Sequence, residues 1–557
     1  MAVVELAERV ARSFTAVQAG HTLINEEPAG GVTARDPGSR SARSSFGVER
    51  TADVPHHSTS VTGWEVEAMR VFLAALIVAS TAVVAASPAG ATQRALVRVS
   101  GESPFAPGCN GAPQTGTVYR NSEVEPSVGA SPENPRNLVA VWQQDRWSNG
   151  AAQGNLGAYS FDGGRSWRRS VPPPFSRCAG GTTANGGDYE RASDPWVSFS
   201  PDGTAHQAAL AVNNSDDVSA ILVSSSRDGG RTWGPVKTLA RNTEATLQHD
   251  KETLTADPTD SRFVYAVWGR IQIGDPNDPT PRYSGDAMFA RSTDGGRTWE
   301  PARAIVDFPD NSNLQSFGQQ IAVLGDGTLV HVFTLIDDGE TMAAVQRSFN
   351  RGRTWSEPIV IERIDSSVNT PRGGVIDPAD GRRVRTGDLL LQPAADPRSG
   401  SRRVYLAWQD LRFAAPGPFE NDQVVLVSST DGGRTWTDPR RVSGNRRVQA
   451  FTGTVQVNGR GRVGVTYYDF THDDPSGGPL DTDHWFTASR DGGLTFSPRE
   501  RLTDVSFDMR AAPVAGGFFV GDYVGLTSVG RRFVSAFAVS NGGNPSNPTD
   551  IVSTAVR

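Results

Sequence analysis

One eight-residue pattern, S-x-[DN]-x-G-x-[ST]-[WF], occurs six times in this 557-residue chain. The copies begin at Ser160, Ser226, Ser292, Ser348, Ser429 and Ser489. Consecutive copies are about 60 to 80 residues apart, a period that is typical of repeat architectures and leaves room for four short strands per unit. The repeat therefore predicts an all-β fold built from similar units.

Each copy has the composition of a tight turn between two strands. Alternating apolar residues flank it, as in AILVSSS before Asp228 and VKTLA after it. The Asp or Asn side chain can accept hydrogen bonds from nearby amides, glycine supplies a positive φ, and the closing aromatic side chain can pack between strands. We therefore expect structural roles for Asp162, Asp228, Asp294, Asn350, Asp431 and Asp491.

Strand candidates outside these turns complete the units. LVAVWQQ and VYLAWQD are examples of second strands, and EPSVGAS from Glu125 is an example of a first strand. After the sixth turn, DYVGLTSV, RFVSAFAVS and DIVSTAVR form a seventh unit without a fourth strand. RALVRVS, residues 94–100, can supply it, because pairing the two chain ends removes open sheet edges. The sequence thus predicts a seven-bladed β-propeller closed by an N-terminal strand, with six blades and a C-terminal appendage as the alternative.

The region before the repeats contains a segment typical of export. Met69-Arg70 precedes an apolar run at 71–86, and small residues follow as far as Ala91. The run is shorter than the roughly 20 residues of a membrane-spanning helix, so we interpret this segment as a signal peptide that is cleaved after Ala91. The polar residues before it are a misassigned translation start or a disordered extension, or alternatively a cytoplasmic tail on a signal anchor.

These observations divide the chain into four segments and predict a secreted, extracellular protein. The segments are the extension at 1–68, the signal peptide at 69–91, the closing strand and its loop at 92–123, and the propeller at 124–557. Cys109 and Cys178 are the two cysteines. In an exported chain, we expect them to form one disulfide, with two free thiols as the alternative.

Charge and motifs narrow the classes of partner. The 54 Lys and Arg residues nearly balance the 61 Asp and Glu residues, which argues against a nucleic-acid surface. Zinc, phosphate-loop and serine-hydrolase motifs are absent from the sequence, so no cofactor is expected. The loop at 472–484 is rich in oxygen ligands for a structural calcium, but it lacks the EF-hand pattern and is alternatively a solvated loop. We expect a monomer without a stable membrane span after cleavage.

The six turns are the Asp-box, or bacterial neuraminidase repeat, signature, and the chain from about residue 95 to its end resembles the Asp-box sialidase-like proteins. The resemblance implies an exo-acting glycoside hydrolase with a tyrosine nucleophile, a partnering glutamate, an aspartate acid/base and three arginines that grip the sugar carboxylate. The ligand face would lie opposite the Asp-boxes. The family's early Arg-Ile-Pro motif has no counterpart here. A non-catalytic propeller that binds carbohydrate or protein is the alternative.

Position within the units selects the candidate substrate-binding residues. Arg146, Arg270 and Arg412 follow the second strands of the first, third and fifth units, where they could converge on one mouth. Asp194 begins a first strand and joins them as a candidate. The alternative is that each arginine pairs with a neighbouring acid on a solvated rim.

Starts of first strands provide the candidate catalytic residues. Tyr523 is the candidate nucleophile, and its candidate acid/base partners are Asp522, Asp250 and Glu252. Tyr189 with Glu190 and Tyr468 with Asp469 are competing pairs. Glu125, Lys251 and Asp388 occupy similar positions. The alternative for each of these residues is a polar side chain that hydrates or hydrogen-bonds a central channel.

Overall fold

The computed structural model describes residues 96–274, 282–417 and 420–557. The extension and the signal-peptide segment predicted from the sequence lie outside the described residues. The described chain is all β: antiparallel strands dominate, and four 3₁₀ turns interrupt the loops. These turns are Arg177–Ala179, Thr183–Asn185, Ser367–Asn369 and Met509–Ala511. The prediction of an all-β chain is confirmed.

The strands pair in sequence order into four-stranded units. The first strand of the described residues is β1 (Val97–Arg98), which belongs to the last unit. Unit 1 contains β2 (Glu123–Ala130), β3 (Leu138–Arg146), β4 (Ala152–Ser160) and β5 (Arg168–Arg169). Unit 2 contains β6 (Arg191–Phe199), β7 (Ala205–Val212), β8 (Ser219–Ser226) and β9 (Lys237–Asn242). Unit 3 contains β10 (Leu247–Ala256), β11 (Val264–Ile273), β12 (Tyr283–Ser292) and β13 (Arg303–Val306).

The second half of the chain continues the pattern. Unit 4 contains β14 (Leu314–Val323), β15 (Leu329–Asp337), β16 (Glu340–Ser348) and β17 (Ile359–Arg363). Unit 5 contains β19 (Gln392–Ala395), β20 (Val404–Asp410), β21 (Gln423–Ser429) and β22 (Arg440–Arg441). Unit 6 contains β23 (Ala450–Val457), β24 (Val463–Asp469), β25 (Asp481–Ser489) and β26 (Glu500–Arg501). Unit 7 contains β29 (Gly525–Val529), β30 (Arg532–Ser540), β31 (Thr549–Val556) and β1.

Three short strands lie outside this pattern. They are β18 (Val384–Arg385), β27 (Phe507–Asp508) and β28 (Phe518–Phe519). Strand β18 pairs in parallel with β28, and β27 pairs with β25. Two pairings between neighbouring units, Ala152 with Ala192 and Gly285 with Gln315, merge units 1 and 2 and units 3 and 4 into larger sheets.

The N-terminal strand completes the last unit, as the sequence predicts. Val97 pairs with Ser553 and Arg98 with Val552 in antiparallel register. The first strand of each unit also contacts the first strand of the next unit, and β29 of unit 7 contacts β2 of unit 1. Strands β1 and β31, the first and last of the described residues, therefore meet within one sheet, and β31 has a partner on both sides.

The register places the Asp-boxes at one end of each unit and a different set of residues at the other end. In unit 1, Leu138 pairs with Ser160 at the Asp-box end, whereas Arg146 pairs with Ala152 at the opposite end. The first strand begins at this opposite end, because Glu123 pairs with Gln144. Starts of first strands and ends of second strands therefore share the edge that lies away from the Asp-boxes.

The aromatic residue that closes an Asp-box packs against the preceding unit. Trp355 of unit 4 packs edge-on against Phe289 of unit 3, with ring centroids 5.5 Å apart. Trp167 of unit 1 donates its indole N–H to the hydroxyl of Ser553 in unit 7 over 2.9 Å. The repeated turn thus contributes to the contacts between units as well as to its own hairpin.

Cys109 and Cys178 are joined by a disulfide. It ties the segment between β1 and β2 to the 3₁₀ turn that follows β5. The same segment is held near the first strand of unit 2, where Asn110 donates to the Glu190 carbonyl over 2.6 Å. The chain entering the first unit is therefore fixed against the connection that leaves it.

Candidate active site

A cavity of about 390 Å³ opens at the edge away from the Asp-boxes. Its volume falls within the 300 to 1,000 Å³ range that is usual for small-molecule sites. Its ionisable lining residues are Arg146, Arg191, Asp194, His249, Asp250, Lys251, Arg383, Arg385, Asp388 and Asp522. The cavity thus gathers cations and carboxylates from units 1, 2 and 3, from the loop between units 4 and 5, and from the segment before β29.

A repeated irregularity of the first strands directs charged residues into this region. In units 1, 2 and 3 a bulge shifts the register, and Glu125, Asp194 and Lys251 at the bulge have φ values of 54°, 47° and 53°. Left-handed backbone is costly for residues other than glycine, and such outliers cluster at functional sites. The bulges re-aim these three side chains, which then meet one another.

Lys251 is the cation at the centre of a carboxylate cluster. Its Nζ lies 2.7 Å from Oδ2 of Asp522, 3.3 Å from Oδ2 of Asp194 and 3.7 Å from Oε1 of Glu125. Although burial alone would lower the pKa of Lys251, these carboxylates raise it well above its ordinary value. Lys251 therefore remains protonated and holds residues of three first-strand segments together.

Arg385 forms the second cationic contact of Asp522. Its Nη2 lies 2.6 Å from Oδ2 and its Nε lies 3.1 Å from Oδ1 of Asp522, which is the two-point geometry of an arginine and a carboxylate. The guanidinium also lies over the ring of Phe519, 4.5 Å from its centroid. Burial opposes ionisation of Asp522, but Arg385 and Lys251 outweigh it and hold the pKa of this carboxyl well below its ordinary range. Asp522 is thus a permanently ionised group.

Asp250 has the opposite protonation behaviour. Burial raises its pKa to about 6, against the lowering effect of Lys251. No residue among those that the structure describes hydrogen-bonds its carboxylate, which is partly exposed to the cavity. Asp250 can therefore carry a proton near neutral pH while Asp522 beside the same lysine cannot, and this separation is typical of acid and base pairs.

Asp388 is a second carboxyl with a raised pKa. Its Oδ1 accepts hydrogen bonds from the Thr386 hydroxyl over 2.7 Å and from the Gln409 amide over 3.2 Å. Nη2 of Arg383 lies 3.8 Å from its Oδ2. Burial raises the pKa of Asp388 to about 6, although Arg383 lowers it. Three neighbouring side chains therefore contact the carboxyl of Asp388, whereas that of Asp250 has no hydrogen-bond partner among the described residues.

The structure brings four of the eight candidate residues predicted from the sequence into the cavity lining. These are Arg146, Asp194, Asp250 and Asp522. Arg146 is buried, donates from Nη1 to Gln143 over 2.7 Å and lies over the Phe519 ring, so that Arg146 and Arg385 share one aromatic side chain. Burial lowers the pKa of Arg146 to about 10, and it stays charged at neutral pH.

Tyr523 and Glu252 are buried and lie outside the cavity lining. The Tyr523 hydroxyl donates to the Pro195 carbonyl over 3.2 Å, and its ring packs edge-on against Trp196. Glu252 is buried, and both of its carboxylate oxygens lack a hydrogen-bond partner among the described residues. Burial therefore raises the pKa of both side chains well above their ordinary values.

Arg270 and Arg412 lie outside the cavity lining and pair with neighbouring acids. Nε of Arg270 donates to Oδ2 of Asp286 over 3.1 Å. Nε of Arg412 lies 2.7 Å from Oδ1 of Asp410, and its Nη1 lies 3.2 Å from Glu362. The competing tyrosines Tyr189 and Tyr468 also lie outside the lining. The structure thus places these two arginines in local ion pairs and does not bring them together with Arg146.

Sequence reasoning missed Arg191 at the start of β6, and it also missed two further cavity cations, Arg383 and Arg385. Both belong to the run Arg-Val-Arg-Thr-Gly-Asp that ends at Asp388, within the long connection between units 4 and 5. Alternation of two arginines in a short extended run was the available signal. Its position could not be read from the chain order, because β18 pairs in parallel with β28, which lies more than a hundred residues later.

The described residues contain neither a metal-ligand cluster nor a helix that could span a membrane. Within 96–274, 282–417 and 420–557, no group of three or more His, Cys, Asp and Glu side chains is arranged to hold a metal ion. In the loop at 472–484, His472 instead contacts Asp483 over 2.6 Å. None of the helices in these ranges is long and apolar enough to span a membrane.

Comparison with known proteins identifies relatives by sequence. The chain is 25% identical to a sialidase of Micromonospora viridifaciens over 315 residues, which are 53% of this chain and 45% of that protein. It is 26% identical to a xyloglucanase of Acetivibrio thermocellus over 234 residues, 38% of this chain and 24% of that enzyme. The chain thus spans less than half the length of these curated relatives. No family model matches it.

Solved structures with similar folds include two glycosidases. A Hadza microbial sialidase has a TM-score of 0.42 and 16% identity, with 83% of this chain and 95% of that chain covered. The GH93 α-L-arabinofuranosidase of Fusarium graminearum has a TM-score of 0.40 and 13% identity, with 83% and 97% covered. At these scores the structural likeness bears on neither activity nor substrate.

Proposed function

We propose that this chain, a sialidase-like protein by its sequence relationship, is a secreted glycoside hydrolase that releases a terminal sialic acid or a related acidic sugar from glycoconjugates. The observation that carries the proposal is the pairing of opposite protonation states in one cavity. Asp250 has a pKa of about 6, whereas Asp522 is held ionised by Lys251 and Arg385. Hydrolysis of a glycosidic bond requires a proton donor for the leaving oxygen and a negative charge near the developing oxocarbenium ion.

The scaffold that we propose is a seven-bladed β-propeller. It is supported by the four-stranded units, by the pairing of β1 with β31, and by the contacts that run from one first strand to the next and from β29 back to β2. In this fold the cavity lies over the central channel, where loops from several blades form a ligand site. Export through the predicted signal peptide is part of the same proposal.

We assign recognition of the sugar's carboxylate to the cations at the rim. Arg383 and Arg385 extend from one short segment, and Arg146 lies over the same Phe519 ring as Arg385. Guanidinium groups match a carboxylate with two parallel hydrogen bonds and bind it more specifically than an ammonium group. The side chains of Arg383 and Arg385 are 39% and 30% exposed, so both guanidinium groups are open to a ligand in the cavity.

We assign proton donation to Asp250 and charge stabilisation to Asp522. In the protonated state Asp250 can deliver its proton to the leaving oxygen, and the resulting carboxylate is stabilised by Lys251 next to it. Tyr523 remains the candidate nucleophile. Its use as such requires that its hydroxyl leave the Pro195 carbonyl and lose a proton to a neighbouring carboxylate such as Glu252 or Glu125.

The test is hydrolysis of a fluorogenic sialoside by the wild type, Asp250→Asn and Arg385→Ala. Loss of a general acid costs about a hundredfold or more in kcat/KM, and we expect the Asn variant to lose the decline in rate that sets in above about pH 6. We expect Arg385→Ala to raise KM. Arg412→Ala is the matched control, because its guanidinium is held by Asp410 and Glu362 outside the cavity.

Failure of the wild type to release the fluorophore between about pH 4 and 8 would reject the sialidase proposal. In that case saturable binding to a glycan array, abolished by Arg385→Ala, would support the second candidate, a non-catalytic carbohydrate-binding propeller. The specific observation in favour of this candidate is the Tyr523 hydroxyl, which is engaged by a backbone carbonyl. The absent Arg-Ile-Pro motif points the same way.

A further inference from the structure

The cavity has an apolar wall beside its charged residues. The wall comes from the ends of β7 and β11, from unit 4 and from the leucines that follow Asp388. Its members are Leu210, Val212, Ile271, Ile273, Phe317, Ile336, Leu389 and Leu390. Phe317 and Ile271 are half-buried, so their side chains present free apolar surface to the cavity.

This wall is specific to one side of the site. The ends of the second strands are apolar in units 2 and 3, with Val212 and Ile273, whereas those in units 1 and 5 are Arg146 and Asp410. The turn after β15 is only two residues, Asp338 and Gly339, so unit 4 adds no long loop over the wall. A concave apolar surface of this kind marks a binding site, because exposing it to water is unfavourable.

One segment joins the charged and apolar halves. Arg383, Arg385 and Asp388 are followed directly by Leu389 and Leu390. Leu390 lies against the bulge of β14, where a Cβ at Gly318 would come within 2.6 Å of its Cδ2. Phe317 is the neighbour of Gly318, so the cations and the apolar wall form a continuous surface from Arg385 to Phe317.

We propose that this wall is a subsite for an alkyl or aryl group attached to the acidic sugar. The natural substrate would then be an acidic glycoside with an apolar aglycone, whose negative charge faces Arg383 and Arg385 and whose apolar group covers Phe317, Ile271 and Leu390. The identity of the sugar rests on the proposed function. The pairing of charge with apolar surface rests on the cavity alone.

Direct binding of alkyl carboxylates tests the subsite without any hydrolysis. In calorimetric titrations of butanoate, hexanoate and octanoate, we expect each added methylene that reaches the wall to strengthen binding by about fourfold. This factor corresponds to about 0.8 kcal/mol per buried CH₂. We expect Phe317→Ser and Ile271→Ser each to flatten this dependence on chain length and to weaken octanoate binding by about tenfold. We expect Arg385→Ala to weaken all three acids by a similar factor.

Phe349→Ser is the matched control, because that phenylalanine is 64% exposed and lies outside the cavity. Thermal unfolding verifies that the two wall variants are folded, and either variant alone suffices. Affinity that is independent of chain length, or a chain-length dependence that both wall variants retain, overturns the subsite. A steep dependence in a protein without sialosidase activity leaves the subsite standing and rejects only the proposed reaction.

Discussion

The pKa values of aspartates in this chain are shifted in opposite directions by their surroundings. In the first Asp-box, Oδ1 of Asp162 accepts the amides of Arg165 and Ser166 over 2.9 Å each, and Oδ2 accepts the Ser166 hydroxyl over 2.6 Å. Partial burial opposes ionisation, but these bonds lower the pKa of Asp162 to about 2. Asp250 lacks such donors among the described residues, and burial raises its pKa. The supply of hydrogen-bond donors therefore accounts for the opposite pKa shifts of Asp162 and Asp250.

Substitution of Asp162 tests the structural role at this scale. We expect Asp162→Ala to lower the free energy of unfolding by about 1 to 2 kcal/mol, because the turn amides lose their acceptor. Asp162→Asn should cost less, since Asn350 fills the same position in the fourth Asp-box and donates to Thr354 over 2.8 Å. Urea unfolding of the three proteins measures both differences, and an Asn variant as unstable as the Ala variant contradicts the expectation.

The same substitution has a pH signature. The pKa of Asp162 is lower in the folded protein than in the unfolded chain, so its carboxylate stabilises the fold above about pH 4, and this stability is lost as the pH falls towards 2. In Asp162→Asn this contribution to acid unfolding disappears. We expect the difference in stability between wild type and Asn variant to shrink as the pH is lowered through this window.

Position within the repeat predicted only part of the cavity lining. Asp250, Asp522, Asp194 and Arg146 could be found because each lies at the start of a first strand or the end of a second strand, and the repeat fixes where those ends are. Arg383 and Arg385 could not be found in this way, since their segment is an insertion between units and its position depends on pairing with β28. The repeat therefore predicts where residues of the regular units lie, whereas the position of an inserted segment becomes known only from the structure.

At the level of elements, the hairpins followed from local sequence and the bulges did not. Alternating apolar residues and turn residues predicted most strands. The bulges place Glu125, Asp194 and Lys251 at positive φ, although none of these residue types prefers that conformation to the degree that glycine does. The strain is balanced by contacts with distant residues such as Asp522, which chain order alone does not display.

The aromatic residue of an Asp-box connects two elements in neighbouring units, and its loss should weaken that junction. Trp355 contacts Phe289 of unit 3 and His331 of its own unit, with ring centroids 5.5 and 5.8 Å apart. We expect Trp355→Ala to lower the free energy of unfolding by about 2 to 3 kcal/mol, somewhat less than for a fully buried tryptophan. Denaturant unfolding gives the value, with exposed Phe349→Ala as control.

Phenylalanine at two of these positions separates packing from hydrogen bonding. No described residue accepts a hydrogen bond from the indole N–H of Trp355, so Trp355→Phe should cost little. Trp167 donates to Ser553, and Trp167→Phe should lose about 1 kcal/mol more. Equal costs for the two substitutions would contradict a hydrogen-bonded junction between units 1 and 7.

At the scale of the whole molecule, the first and last strands of the described residues are joined in one sheet. Strand β1 pairs with β31, and Ser100 donates from its hydroxyl to Asp550 over 3.3 Å. The sequence indicated this pairing because the seventh unit lacked one strand and a strand without a partner preceded the first unit. It could not indicate how the following segment, 99–122, is fixed, because that depends on contacts with Glu190 and Arg191.

The disulfide is the covalent part of that attachment, and its removal should lower the stability of the entire molecule. It spans 69 residues, and closing a loop of that length in the unfolded chain is worth about 4 kcal/mol in the chain-entropy description. We expect a Cys109→Ser, Cys178→Ser double variant to unfold at correspondingly lower denaturant concentration. Reductant should shift the wild type towards the double variant and leave the variant unchanged. Because Arg191 donates from Nε to Gln114 of the tethered segment over 2.7 Å and also lines the cavity, the variant should bind ligand more weakly as well. Coincident unfolding midpoints for the oxidised wild type and the double variant would show that the disulfide contributes nothing to the stability of the fold.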